Sequence, residues 1–147
     1  MNTTVLKIEK LPHNKILPEY QTEGAAGMDL CAAIDTPILL KPMERKLIST
    51  GIKIELESGF EAQIRPRSGL SIKHGITLIN CVGTVDEDYR GEVCIPLVNL
   101  STEEYLIQPN ERIAQMVIAR VEKAKIQVVQ ELSETTRAAG GFGSTGK

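Results

Sequence analysis

The chain has 147 residues, 24% of them charged, and a formal net charge of −2. That length suits one domain with its own hydrophobic core, and the balance of acids and bases leaves no footprint for duplex nucleic acid or an anionic membrane surface. No apolar run approaches the ~20 residues that span a bilayer, and the first residues lack the basic-then-apolar form of a signal peptide, so a cytoplasmic location is expected. Cys31, Cys81 and Cys94 are odd in number and widely spaced, without a CxxC pair. They read as buried reduced thiols of a cytosolic protein, not as a disulfide framework or zinc site. His13 and His74 are the only histidines, which argues against a multi-histidine metal centre, and a lone loop histidine such as His74 reads as solvated.

In chain order, residues 5–10 form a first strand that Pro12 ends, and Pro18 with residues 22–27 is loop. Ile38-Leu39-Leu40 is a short apolar run closed by Pro42. Residues 52–57 alternate apolar and polar, which predicts a strand with one buried face. Glu57-Ser58-Gly59 turns the chain into a second alternating run, residues 60–65, stopped by Pro66. Residues 93–98 and 105–107 continue the pattern across the connector at residues 101–104. Residues 113–128 stay open: Ile113, Met116, Val117, Val121, Ala124 and Val128 make a helical stripe, whereas the many β-branched residues there favour strands. Many short strands with turn signals between them predict an all-β sandwich or barrel.

The segment Gly83-Thr84-Val85-Asp86-Glu87-Asp88-Tyr89-Arg90-Gly91 lies between Ile76-Thr77-Leu78-Ile79 and Val93-Cys94-Ile95. Two β-branched runs joined by a polar stretch with glycine at each end predict a β-hairpin. Three carboxylates and a phenol crowd its tip, as a solvated acidic turn or as a site that uses them. Asp86 follows the strand-like Val85 directly, which would hold it more rigidly than a loop-tip acid.

The C-terminus mimics two phosphate motifs. Gly141 to Gly146 satisfies G-x-G-x-x-G, and Gly141 to Lys147 most of the P-loop pattern. Both need a strand before and a helix after, and nothing follows this run. Its physics remains: a glycine-rich arm can turn N–H groups toward an anion, Ser144 and Thr145 add hydroxyls, and Arg137 adds a forked cation suited to phosphate. Phe142 can lie over a planar base. The alternatives are a disordered tail or a lid that orders on ligand, against ~1–2 kcal/mol per residue of backbone entropy.

Five ordered segments together resemble the trimeric dUTPase family: Ala26-Gly27-Met28-Asp29-Leu30, Pro66-Arg67-Ser68-Gly69-Leu70, Gly83 to Gly91, Arg112-Ile113-Ala114-Gln115, and Arg137 to Gly146. The resemblance implies a jelly-roll-like β-clip domain over residues 1–136 and a flexible arm over 137–147. It also implies a homotrimer with active sites shared between chains, and strands after Ile113. The implied reaction is hydrolysis of dUTP to dUMP and pyrophosphate, which keeps uracil out of DNA and supplies dUMP for dTMP synthesis. Magnesium would be held through the triphosphate, with no direct protein ligand.

By the same resemblance Asp86 deprotonates the water that attacks the α-phosphorus. Asn80 and the backbone near Thr84, Val85 and Cys94 read the uracil edge. Tyr89 lies under the deoxyribose and excludes a 2′-hydroxyl. Arg67, Ser68, Gly69 and Gln115 contact phosphates. Arg137 reaches the terminal phosphates, while Phe142, with Gly143 beside it, covers the base. Asp29 supports the site, through the metal's water shell or by pairing with Arg112. Thr84 stands where a larger aliphatic residue is usual in the family, and Ala138 where the arm commonly has glycine. Two other readings are a dCTP deaminase-like relative on the same fold, which would release ammonia from dCTP, and a non-catalytic trimeric nucleotide-binding protein, which would have no need of Asp86.

Overall fold

Strict alternation along the strands sets the architecture. In residues 60–65 Ala62 and Ile64 are buried while Glu61, Gln63 and Arg65 are half exposed, so one face of each strand must meet a second layer. The computed structural model describes residues 3–146. In them lie β1 (Lys7–Lys10), β2 (Met28–Cys31), β3 (Ile38–Leu40), β4 (Arg45–Glu55), β5 (Phe60–Arg65), α1 (Ser68–His74), β6 (Ile76–Leu78), β7 (Gly83–Val85), β8 (Glu92–Asn99), β9 (Tyr105–Ile107) and β10 (Arg112–Arg120).

One sheet has the order β1-β4-β8-β6, the second β2-β10-β5-β7, and β3 pairs with β9. All pairings are antiparallel. Ile52, Ile54, Ile95 and Leu97 from the first sheet and Leu30, Ala62, Ile64 and Met116 from the second share one buried core. The fold is all-β and jelly-roll-like, as the resemblance implies.

The predicted hairpin takes a different form. Residues 76–78 pair with 97–99, whereas Cys94 and Ile95 pair with Ser49 and Ile48 of β4. Between them β7 crosses to the other sheet and pairs with β5, Val85 opposite Ala62. The polar segment is therefore a strand followed by a loop, anchored in both layers. Glycine and threonine at 83 and 84 hid this strand, because neither adds to an apolar pattern.

Three further differences follow from local causes. The first strand begins at Lys7, opposite Glu55, two residues later than residue 5. The strand predicted at 52–57 begins at Arg45 and ends at Glu55, its start masked by the polar Arg45-Lys46. Helix α1 was not expected; it buries only Leu70, and Gly75 closes it at φ 67°. Basic residues in the last turn followed by glycine are a stop signal.

Residues 113–120 are strand, as the resemblance implies, but β10 ends at Arg120. From Val121, whose N–H donates to Gly59 O at 2.9 Å, residues 121–130 belong to no element. Ile126 and Val128 there are 89% and 92% exposed.

Candidate active site

Asp86 leaves β7 directly after the buried Val85, so its backbone starts from a hydrogen-bonded strand. The turn closes through Tyr89 N donating to Asp86 O at 3.2 Å. Arg90 Nη1 donates to Glu87 O at 2.7 Å and to Tyr89 O at 3.1 Å. The three clustered carboxylates divide their work. Glu87 accepts the Gly59 N–H at 2.6 Å and so ties this loop to the β4–β5 connection, while Asp86 and Asp88 face solvent. Tyr89 folds back, its Oη donating to Glu92 O at 3.0 Å.

Around this loop, Thr84 is exposed on β7. Asn80 lies beside the strand, where a Cβ on Gly83 would stand 3.4 Å from its Nδ2. Cys94 is half-buried on β8, opposite Ser49. Burial, then the Glu92 carboxylate, push its thiol above the usual range. Contrary to expectation, none of the three thiols is fully buried, and Cys81, in the loop before β7, is exposed.

A second cluster forms where β2, β5 and β10 run side by side. Asp29 Oδ1 lies 3.3 Å from Arg67 Nε, and its Oδ2 3.5 Å from Arg112 Nη1. Arg67 Nη1 also donates to Arg112 O at 3.2 Å. Two guanidiniums on one carboxylate leave the cluster net positive, suited to a carboxylate or phosphate anion. Gln115 sits in register with both Asp29 and Arg65, and its Nε2 donates to Pro66 O at 3.0 Å. Only a glycine at position 27 leaves room for it, since a Cβ there would stand 2.5 Å from Gln115 Oε1. Ser68 and Gly69 are exposed in the first turn of α1, whose N-cap Arg67 makes no side-chain cap.

The arm forms a third group. Arg137 Nε donates to Gly140 O at 2.9 Å, and successive turns follow at Gly141–Ser144 and Gly143–Gly146. Phe142 is fully exposed. Lys147 lies outside the described residues.

One chain does not bring these groups together. Register places Val85 beside Ala62 and Gly83 beside Ile64. Arg67 therefore lies at the opposite end of β5 from Asp86, on the order of 15 Å away at ~3.3 Å per strand residue. A groove of about 630 Å³ lined by Thr4, Tyr20, Met28, Phe60, Ile118 and Arg120 has none of the predicted site residues in its walls.

Sequence reading gave no site role to His13, Ser49 or Glu92, and took Gly91 only as the end of the polar segment. The first three converge at a bulge in β4, which no linear motif marks; Gly91 shapes the Tyr89 ring. Among the described residues no group of three or more His, Cys, Asp or Glu side chains is arranged to hold a metal ion, and no helix is long and apolar enough to cross a membrane.

In coarse terms this is an all-β, jelly-roll-like protein with an acidic loop and a separate arginine-rich cluster. A profile of the dUTPase family matches residues 13–146. The deoxyuridine 5'-triphosphate nucleotidohydrolase of Finegoldia magna is 59% identical over 133 residues, 90% of this chain and 93% of that one. That of Cytophaga hutchinsonii is 58% identical over 147 residues, 100% of this chain and 94% of that one. The Staphylococcus bacteriophage 80alpha dUTPase with dUPNHPP superposes with a TM-score of 0.89 at 25% identity, over 99% of this chain and 100% of that chain. A mutant dUTPase from phage phi11 of S. aureus, described as coordinating a structural Mg(II) ion, shares the fold with a TM-score of 0.78 at 23% identity, over 86% of this chain and 97% of that one. The chain belongs to the dUTPase family.

Proposed function

We propose that the chain is a dUTP diphosphatase, hydrolysing dUTP to dUMP and pyrophosphate. The observation that carries the reading is the placement of Asp86: a solvent-facing carboxylate at the exit of a sheet-anchored strand, three residues from an exposed tyrosine. An ordinary Asp is ionised at neutral pH. Asp86 orients a water and takes its proton as the oxygen attacks the α-phosphorus, and pyrophosphate departs from the far side. A positioned base of this kind contributes ~10²–10⁴ in rate.

Backbone groups of Thr84 and Val85, with Asn80 and the backbone at Cys94, recognise uracil. A narrow loop excludes the thymine methyl, and cytosine would leave reversed polar groups unpaired at ~1–3 kcal/mol each. Tyr89 occupies the room a 2′-hydroxyl would need. The Arg67, Ser68, Gly69 and Gln115 surface takes the phosphates, with Asp29 and Arg112 holding Arg67 in place. Arg137, Phe142 and Gly143 close from the arm. Asp29, already matched by two arginines, would not be free to hold magnesium, and the metal would arrive with the substrate phosphates. When bound, it neutralises triphosphate charge.

The working unit is a homotrimer. The acid loop, the arginine cluster and the arm stand apart in one chain, so a complete site needs groups from neighbours. Apolar Ile126, Val128 and Leu132, the last 86% exposed, offer a strand-like segment with no partner in its own sheets. Three free cysteines suit the reducing cytoplasm.

A pyrophosphate-release assay across dUTP, the four common dNTPs and UTP, with and without magnesium, tests the reading. Turnover confined to dUTP supports it; ammonia from dCTP, or no pyrophosphate from dUTP, overturns it.

A further inference from the structure

A cluster outside the predicted site stands at the point where the acid loop returns to the sheet. The register of β4 against β8 jumps between Ser49 and Lys53, and Gly51 in this bulge has φ 69°. The side chain of Glu92, the first residue of β8, fills it. Its Oε1 accepts the Gly51 N–H at 2.8 Å and a hydrogen bond from Ser49 Oγ. His13 Nε2 lies 2.7 Å from the same oxygen. An ionised carboxylate only accepts, so Nε2 carries the hydrogen.

The loop that brings His13 is itself fixed. Leu11 N donates to Gly51 O at 2.9 Å, and Asn14 Nδ2 donates to Thr50 O at 2.9 Å. A Cβ on Gly51 would stand 2.7 Å from that of Asn14. Three donors from two elements thus converge on one oxygen of Glu92.

The same residue holds the sugar-side aromatic. Tyr89 Oη donates to Glu92 O at 3.0 Å, and the ring lies over Gly91. The loop is therefore pinned twice: at its start by β7 against β5, at its end by the Glu92 side chain in the bulge.

We propose that Glu92, held by His13 and Ser49, is a positioning residue that sets where the Tyr89 ring stands and so determines how strongly the site rejects ribonucleotides. This rests on the reading of Tyr89 as the sugar gate. A steric gate against one small group discriminates by ~10–200-fold, so its strength depends on where the ring stands. Truncating Glu92 spares the acceptor carbonyl, which is main chain, but removes the side-chain anchor to Gly51, Ser49 and His13 that holds this end of β8 in the bulge. It leaves Asp86 and the arginine cluster untouched.

The test compares full-length parent, Tyr89→Ala, Glu92→Ala, Glu92→Gln, Ser49→Ala and His13→Ala, measuring kcat and KM separately for dUTP and UTP, with Tm as the folding control. Tyr89→Ala should accept UTP. Glu92→Ala should lose about tenfold of the dUTP-over-UTP preference, mainly through KM, as partial loss of a steric discrimination of ~10–200-fold would give. Glu92→Gln keeps an acceptor and should retain the preference. Ser49→Ala and His13→Ala each remove one donor and should show a smaller loss of the same sign, so the proposal stays testable if Glu92→Ala does not fold. A parental preference in Glu92→Ala, or in both donor variants if that protein does not fold, overturns the proposal while leaving the gate intact. An equal fall for both nucleotides also overturns it, since that marks general damage. Retained UTP rejection in Tyr89→Ala removes the gate itself, and this proposal with it.

Discussion

Tyr89 lies over Gly91 so closely that a Cβ at position 91 would stand 2.5 Å from the ring carbon Cζ. The φ of Gly91 lies outside the left-handed region, so the glycine is required for space and not for backbone freedom. Gly91→Ala should therefore displace the ring while leaving the strands alone. The expected outcome is a fall in kcat/KM for dUTP of about tenfold or more, with UTP accepted better and Tm little changed. Steady-state kinetics on both nucleotides check it; parental kinetics would mean that the ring has another place to go.

Asp29 matches two arginines that would otherwise repel each other. Asp29→Ala should destabilise the fold by only about 1 kcal/mol or less, because both arginines stay within reach of water, and weaken nucleotide binding as Arg67 loses its orientation. Urea unfolding and calorimetric binding of a non-hydrolysable dUTP analogue measure the two effects. Unchanged affinity would release Asp29 from its supporting role.

The arm carries a local strain. Ala138 has φ 45°, a conformation that costs a non-glycine residue ~1–3 kcal/mol. Ala138→Gly should raise kcat/KM a few-fold, whereas deletion of residues 140–147 should nearly abolish turnover, and both should leave Tm unchanged. A marked fall in Tm on deletion would make the arm a structural element instead of a closing one.

Acid should reach the bulge beside the acid loop. Burial works to raise the Glu92 carboxyl, but hydrogen bonds from Ser49, His13 and the Gly51 N–H outweigh it and hold the group below the usual range. A carboxyl depressed in the folded state adds stability in full above its unfolded value of ~4.3. That contribution disappears as pH falls through the lower native value. The Tm advantage of the parent over Glu92→Gln should accordingly shrink below about pH 4.3, and an advantage independent of pH would contradict the linkage.

Much of this fold was legible because alternation is a strong signal where one face is buried. Residues 60–65 and 105–107 match their strands, and the motif residues marked the loop after Val85. What stayed hidden depended on partners distant in sequence. Gly83 and Thr84 form a strand only because Gln63 and Ile64 lie opposite them. Glu92 reads as one more acid until Ser49 and His13, 43 and 79 residues away, are seen to meet it. Residues 113–128 were ambiguous for a physical reason: β10 ends at Arg120, and the half after it pairs with no strand among the described residues, so its β-branched residues signal strand without a ladder to join.

The role of Asp86 is tested most directly by pairing two measurements on Asp86→Asn: single-turnover hydrolysis of dUTP, and binding of a non-hydrolysable dUTP analogue. The substitution keeps the size of the side chain and removes its ability to take a proton. Binding should stay close to that of the parent while the rate falls by ~10²–10⁴. Hydrolysis at the parental rate by this variant would contradict the assignment of Asp86 as the base.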